Sequence, residues 1–225
     1  DAAWSDLNPL FQDDTSSSFI SGATMDPLIY YDADLSVWPH LAESYTMLND
    51  TTLEIVAREG IPWGADPDGG TGEFFDIEDV YFTLFAWKYL SNDQQVYDWI
   101  EDMEMDQSQR KLTIYIDGDP DTPENEPYAP FLPSVSLNIL PEHWLNQTQD
   151  VAGLPDVTDA SWNTFATKCF GTDLFEIETF TEGVETILSV KPDCWNMNTT
   201  TTAHPDLHWV ERFGDFSGGL DTMRI

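Results

Sequence analysis

Basic side chains are scarce. Eight Lys and Arg stand against 42 Asp and Glu, a formal net charge of -34 at pH 7. A surface this anionic repels phosphate backbones and anionic lipid heads, which excludes nucleic acid as a partner and electrostatic docking on a membrane. Long apolar runs are also missing: no stretch approaches the roughly 20 residues of a membrane helix, so membrane association would come only through an anchor outside this chain. No internal repeat is visible, which removes solenoids and propellers. Histidine is sparse as well, and His40, His143, His204 and His208 form no tight metal pattern. His204 and His208 stand four apart, but Pro205 between them disfavours the regular helix that a zinc pair would need.

What is present argues for a folded chain. Of its 225 residues, 41% are hydrophobic, with 9 Trp, 8 Tyr and 13 Phe, well above the composition of a disordered acidic segment. The length suits one large domain or two small ones. The two cysteines, Cys169 and Cys194, can close a disulfide loop, and three Asn-x-Thr sequons begin at Asn49, Asn146 and Asn198. With the threonine run 199–202, the acidic surface and a start on Asp1 that suits a mature form, these features point to an oxidising, extracellular setting.

Local patterning gives a coarse map. Leu28 to Tyr31 reads as a short extended run, Thr52 to Ala57 alternates as a half-buried strand, and Pro39 to Glu43 marks a turn. The Gly, Asp and Pro content of Trp63 to Gly72 predicts an exposed loop. Asp76 is a suitable N-cap, and Ile77, Val80, Tyr81, Leu84 and Phe85 repeat at helical spacing towards Leu90. A second helix is expected over Gln94 to Ile100, a strand over Leu112 to Ile116, and a helix over Thr158 to Lys168. Phe175 to Phe180 and Thr186 to Val190 read as paired strands joined at Glu182-Gly183.

Isolated chemistry is thin. With 42 acids some carboxylates fall together by chance, so a glycosidase pair is neither specified nor opposed, and scattered Trp is more often core than sugar platform. For a metal, Asp117, Asp119 and Asp121 alternate as the first ligands of a calcium loop do, with Glu124 or Glu126 to close the shell. Thr122 and Tyr128 stand where an EF-hand has Gly and Glu, and a solvated acidic turn is the plainer reading of the same residues. Asp66-Pro67-Asp68-Gly69-Gly70 is a weaker candidate. No other cofactor is indicated.

The most informative pattern is a series of separated phrases: Leu7-Asn8-Pro9-Leu10, Pro27-Leu28-Ile29-Tyr30-Tyr31-Asp32, Pro39-His40-Leu41-Ala42-Glu43-Ser44-Tyr45, Arg58 to Trp63, Asp76 to Leu84, and Ile139-Leu140-Pro141-Glu142-His143. In this order and spacing they resemble the N-terminal half of the family 5 extracellular solute-binding proteins, the peptide, dipeptide and nickel receptors of ABC importers. Phe170 to Phe175 resembles the family's Gly-Thr-Gly-Pro turn, with Asp173 and Leu174 in place of Gly-Pro. Pro192-Asp193-Cys194-Trp195 resembles its Asn-Pro-Asp-Tyr-Trp, with Cys194 in place of Tyr, and Gly218-Gly219-Leu220-Asp221 resembles the phrase before the second lobe.

This resemblance implies an α/β fold: the mixed-sheet first lobe of a bilobal, class II periplasmic-binding-protein-like Venus-flytrap, with an inserted α+β subdomain. Residues 1–43 and 169–225 would form the lobe core and 44–168 the insertion, with the second lobe absent from this chain. It implies a non-enzymatic receptor that passes a peptide or other small solute to an ABC permease and works outside the cell, at the cell surface or in the periplasm. A cell-surface structural or assembly protein reusing the lobe is the alternative from another class. Peptide ligands of such receptors pair with backbone near the first strand, which here implicates Phe11, Gln12, Asp13, Asp14 and Thr15 as the cleft wall. A disulfide between Cys169 and Cys194 would staple the open end of the hairpin.

The charge makes its own prediction. If self-repulsion among carboxylates opposes the compact state, the melting temperature should rise as NaCl is increased beyond about 0.1 M, where the screening length is already about 10 Å. Melting curves that do not respond to salt would exclude that source of instability.

Overall fold

The computed structural model describes residues 6–181, 184–214 and 221–225. Helix α1 (Thr15–Thr24) opens on Asp14, whose carboxylate accepts from the Ser17 amide at 2.8 Å, and it leads into the short strand β1 (Ile29–Tyr31). β1 pairs antiparallel with β2 (Val37–Pro39) around the Asp32 turn, whose carboxylate accepts from the amides of Asp34 and Ser36. The expected turn near His40 is real, but Pro39 closes β2 and Ala42 already opens the next strand.

β3 (Ala42–Asn49) and β4 (Thr52–Ala57) form a hairpin, followed after a long loop by α2 (Ile77–Tyr89). β5 (Ile100–Asp106) and β6 (Lys111–Ile116) complete an antiparallel sheet in the order β3-β4-β6-β5. The two central strands alternate strictly: Leu53, Ile55 and Ala57 of β4 meet Leu112, Ile114 and Ile116 of β6 on the buried face, with Leu53 opposite Ile114 and Ile55 opposite Leu112. α2 lies on that face through Val80 and Leu84. Its start carries a complete capping box, the Asp76 carboxylate accepting from the Glu78 amide at 2.8 Å while Asp79 accepts from the Asp76 amide at 3.0 Å. Asp79 does more than cap. Fully enclosed, it also accepts from the Glu142 amide at 2.9 Å and the Trp63 indole at 3.2 Å, so the helix start, the 63–72 loop and the 140s segment share one anchor.

The second half is built from short pieces. α3 (Phe131–Ser134), α4 (Glu142–Leu145) and α5 (Ala160–Phe165) precede the hairpin β7 (Phe175–Thr181) and β8 (Glu185–Val190). α6 (Thr199–Thr202) and α7 (Trp209–Phe213) follow, and β9 (Thr222–Arg224) adds to β8 to give the order β7-β8-β9. All strand pairings among the described residues are antiparallel. The turn at Glu182-Gly183 and most of the 218–221 phrase lie outside the described residues.

Two expected elements differ. The helix over Gln94 to Ile100 is a single 3-10 turn, Gln94–Tyr97, and Ile100 instead begins β5. Burial of Tyr97 and Trp99 fixes this segment, and tertiary packing overrides the local preference. The helix over Thr158 to Lys168 is restricted to Ala160–Phe165, because Asp159 caps it through the Ser161 amide.

The disulfide is also corrected. Cys169 and Cys194 are free, buried thiols. The β7–β8 hairpin does form, but residues 169–172 run along the 24–26 segment. Cys169 Sγ lies 3.4 Å from Thr24 Oγ1 at one end of that run, while Cys194 Sγ donates to the Thr172 carbonyl at the other, 3.3 Å away. Burial pushes both thiols up to about 12, which leaves them protonated and unreactive in the folded state.

Gly171 makes that close approach feasible. A Cβ there would collide with the Thr24 carbonyl oxygen and sit 2.7 Å from Met25 Cα, both of them backbone atoms that cannot swing away. The Gly171 carbonyl meanwhile accepts from the Gly64 amide at 3.0 Å and from Lys191 Nζ at 2.7 Å. Gly171→Ala should therefore destabilise the fold by about 1–3 kcal/mol through overpacking. A urea midpoint unchanged from wild type would show that the two segments separate easily.

Candidate functional site

Between the end of α1, β1, the base of the β7–β8 hairpin and α7 lies a cavity of about 340 Å³. Its walls are mostly apolar: Pro27, Tyr30, Leu174, Phe175, Trp209 and Phe213. Trp209 and Phe213 stand one helical turn apart on α7 with ring centroids 4.6 Å apart, and Tyr30 meets Phe213 edge-on at 5.2 Å. The polar lining comes from Asp26, His40, Asp173 and Asn196.

Asp26 is the hub. Buried, it accepts from His40 Nε2 at 2.7 Å through Oδ1, and through Oδ2 from Thr172 Oγ1 and Trp195 Nε1, both at 2.8 Å. Burial alone would raise its pKa. The His40 ring and the donated hydrogen bonds outweigh that and hold the carboxyl below its ordinary value. His40 Nδ1 in turn faces Arg212 Nη2 at 3.2 Å. Arg212 donates to the carbonyls of Pro39 and Leu207 and lies over the Tyr30 and Phe213 rings at 4.8 and 4.6 Å. Arg58 ties the same corner from the other side, donating to the His40 and Ala42 carbonyls and pairing with Asp206 at 2.5 Å.

Asp173 is different in kind. Its Oδ1 accepts from the Leu174 amide at 2.6 Å and Asn196 Nδ2 at 3.0 Å. Desolvation first, and then the charge of Asp26, push its pKa well above the carboxylate range. Lys191 is driven the other way by burial, and it satisfies itself on the Gly171 carbonyl.

The residues expected to form the ligand wall, Phe11 to Thr15, are not part of this cavity. Residues 11–15 form the turn and cap of α1 rather than a strand edge. Phe11 packs 6.2 Å from the Trp162 ring, Gln12 Oε1 accepts from Ser21 Oγ at 3.1 Å, Asp13 precedes the cap, Asp14 is the cap, and Thr15 opens the helix. None of the five lines the 340 Å³ cavity. In the acidic turn, Asp117 Oδ1 accepts from the amides of Asp119 and Glu126, and Asp119 Oδ1 from that of Asp121. Among the described residues no three His, Cys, Asp or Glu side chains are grouped to hold a metal ion. In the weaker candidate loop, Asp66 meets His143 at 3.2 Å.

The sequons differ in access. Asn49, the last residue of β3, and Asn198, capping α6, are exposed. Asn146 is half-buried, and its Nδ2 is engaged on Glu142 Oε1 at 2.8 Å.

No protein-family model matches the sequence, and comparison with curated proteins finds no match. Solved structures do match. NikZ from Campylobacter jejuni, in complex with Ni(L-His), aligns with a TM-score of 0.65 at 20% identity, over 84% of this chain and 34% of its own. The ABC transporter-associated periplasmic binding protein DppA from Helicobacter pylori, in complex with the peptide STSA, aligns at 0.68 and 19%, over 86% of this chain and 38% of its own. The oligopeptide-binding protein AppA from Bacillus subtilis, in complex with a nonapeptide, aligns at 0.61 and 19%, over 86% and 35%. The chain has the fold of one part of a periplasmic binding protein. It spans about a third of the length of these structures.

Sequence reading reached this site only in part. The 27–32, 39–45 and 170–175 phrases supply lining residues, His40 and Asp173 among them, while Asp26, Asn196 and Trp209 lie outside every phrase. The one available signal was the departure at Asp173 and Leu174, both of which line the cavity.

The Asp26 hub is testable. Asp26→Asn turns an NH₂ towards one of three donors and removes the charge, which should cost about 3 kcal/mol in a urea titration. Because the folded-state pKa of Asp26 lies below its unfolded value, its contribution is complete above about pH 4 and should vanish as pH falls through the folded value. Equal stability of the variant and wild type at pH 7 would remove Asp26 from its central position.

Proposed function

We propose that the chain is the ligand-capturing lobe of an extracellular or periplasmic solute-binding protein that serves an ABC importer. The fold carries this reading: three bacterial binding proteins, each with a bound small molecule or peptide, align over 84–86% of the chain. The ordered phrases of the sequence point the same way, and three of them, 27–32, 39–45 and 170–175, supply lining residues of the cavity. Oligopeptides are the favoured solute, because two of the three aligned proteins are described with a peptide bound.

The role is capture rather than catalysis. Asp26, the most enclosed ionisable group at the site, is engaged by three donors, and His40 is held between Asp26 and Arg212, so neither is presented as a free base to a substrate atom. In the whole protein, a second lobe closing over the ligand would convert binding into the domain closure that a permease recognises. A permease partner and location outside the cytoplasm follow from that reading, and sugar at the exposed Asn49 and Asn198 is compatible with it.

Isothermal calorimetry of the full-length gene product against a panel of di- to nonapeptides is the decisive measurement. Saturable heat with micromolar or tighter affinity is expected, that is about -8 kcal/mol or better. A panel without heat would sink the peptide assignment and shift weight to a surface assembly role.

A further inference from the structure

We infer that Asn49 is a glycosylation site and that its N-linked sugar covers the outer edge of β3. This rests on the reading that the protein works outside the cytoplasm, where sugar is transferred to Asn-x-Thr sequons.

The two edges of the four-stranded sheet are protected unequally. β5 carries Glu101, Asp102, Glu104 and Asp106 in exposed positions, and carboxylates on an edge keep other strands away. On β3, the opposite edge, no charged side chain stands between Glu43 and Asp50. From Ser44 to Asn49 every residue is exposed except half-buried Tyr45, and Met47 and Leu48 present apolar side chains to solvent. The pairing with β4 shifts register near either end of β3 but is continuous from Ser44 to Met47, so that stretch keeps a regular strand geometry. Among the described residues no strand pairs with its outer side. An uncharged, exposed edge of this kind is a template for another chain.

The sequon stands at the end of this edge, and its side chain is placed to react. Asn49 Oδ1 accepts from the Thr51 amide at 2.9 Å and from Thr51 Oγ1 at 3.2 Å. A backbone amide can only donate, which fixes the oxygen of Asn49 towards the turn and leaves Nδ2 without a hydrogen bond among the described residues. Asn146 has the same three-residue motif and the opposite geometry. Its Nδ2 is spent on Glu142 Oε1 and its Oδ1 is enclosed, so reaction there would first break an internal contact. Asn198 is exposed, but its Oδ1 caps two amides of α6 and no bare strand edge adjoins it.

Transfer needs a donor, a sugar carried on a polyprenyl phosphate or diphosphate. Asn49 Nδ2 bonds the anomeric carbon, the carbon–oxygen bond to phosphate breaks, the lipid phosphate leaves with that electron pair, and the amide gives up one proton. No oxidant or reductant enters. Met47 and Leu48 lie two residues and one residue before Asn49, within about 7 Å along the strand, so a bulky, hydrated branch on Asn49 screens them and the backbone groups beside them.

The first measurement is mass spectrometry of glycopeptides from the full-length protein, recovered from the cells that make it. The peptide bearing Asn49 should carry sugar. Asn49→Gln and Thr51→Ala each break the sequon, so both variants should lose that sugar. They should also self-associate in 1 M NaCl, where the screening length is about 3 Å and repulsion between acidic chains no longer holds them apart. Sedimentation velocity should show association about tenfold tighter or more than for the glycosylated protein, with the melting temperature of the dilute monomer little changed. Adding Leu48→Lys to Asn49→Gln should restore the monomer by charging the edge, an outcome that a misfolded variant would not give. Protein found outside the cytoplasm with Asn49 bare, whatever Asn146 carries, overturns the proposal and leaves the location standing. Protein confined to the cytoplasm overturns both. Sugar on Asn49 whose removal leaves sedimentation unchanged overturns the covering of the edge.

Discussion

The Asp26 carboxylate collects donors from three regions that lie far apart in the chain: His40 before β3, Thr172 before β7, and Trp195 after β8. Each region also has its own packing duties. His40 brings the β2–β3 corner, held by Arg58. Thr172 belongs to the 169–172 run wedged on the end of α1. Trp195 carries the descent from β8 to the last helices. A charge enclosed this completely is costly unless donors compensate it, and here both oxygens are engaged, Oδ1 by one donor and Oδ2 by two. Without that hub the hairpin base, β1 and α7 would have no common point, and the cavity they enclose would have no fixed shape.

The acidic composition is divided between two environments. Most carboxylates are solvated, as on β5, where Glu101, Asp102, Glu104 and Asp106 are exposed on an edge strand and blunt its tendency to pair with other chains. A few are internal and have structural tasks: Asp26 at the hub, and Asp79 beneath α2, where burial pushes its pKa up to about 8 against three donated hydrogen bonds. High surface charge and a well-packed interior coexist because apolar residues fill the β4–β6 and α2 face almost without interruption.

Legibility in the sequence followed how local each determinant is. α2 could be read from Asp76 and its helical spacing, β4 and β6 from strict alternation, and the β7–β8 hairpin from two apolar runs, since propensity and period agree in all of them. β5 was not legible: Ile-Glu-Asp-Met-Glu-Met-Asp is a poor strand by propensity and is one only because β6 pairs with it. The thiol pair misled for a related reason, since sequence distance carries no information on which end of the 169–172 run each cysteine meets. The cavity was the least legible feature. Its polar members come from four segments, and only the tertiary path of the chain between Gly22 and Phe213 brings them together.

What marks this cavity is a difference between two neighbouring acids. Asp26 has three donors and an ionised carboxylate. Asp173, beside it, has donors on one oxygen only, and burial first and the charge of Asp26 second push its pKa up. A hub with donors on both oxygens beside an acid with donors on one only puts the end of the network that fixes the fold at the cavity wall.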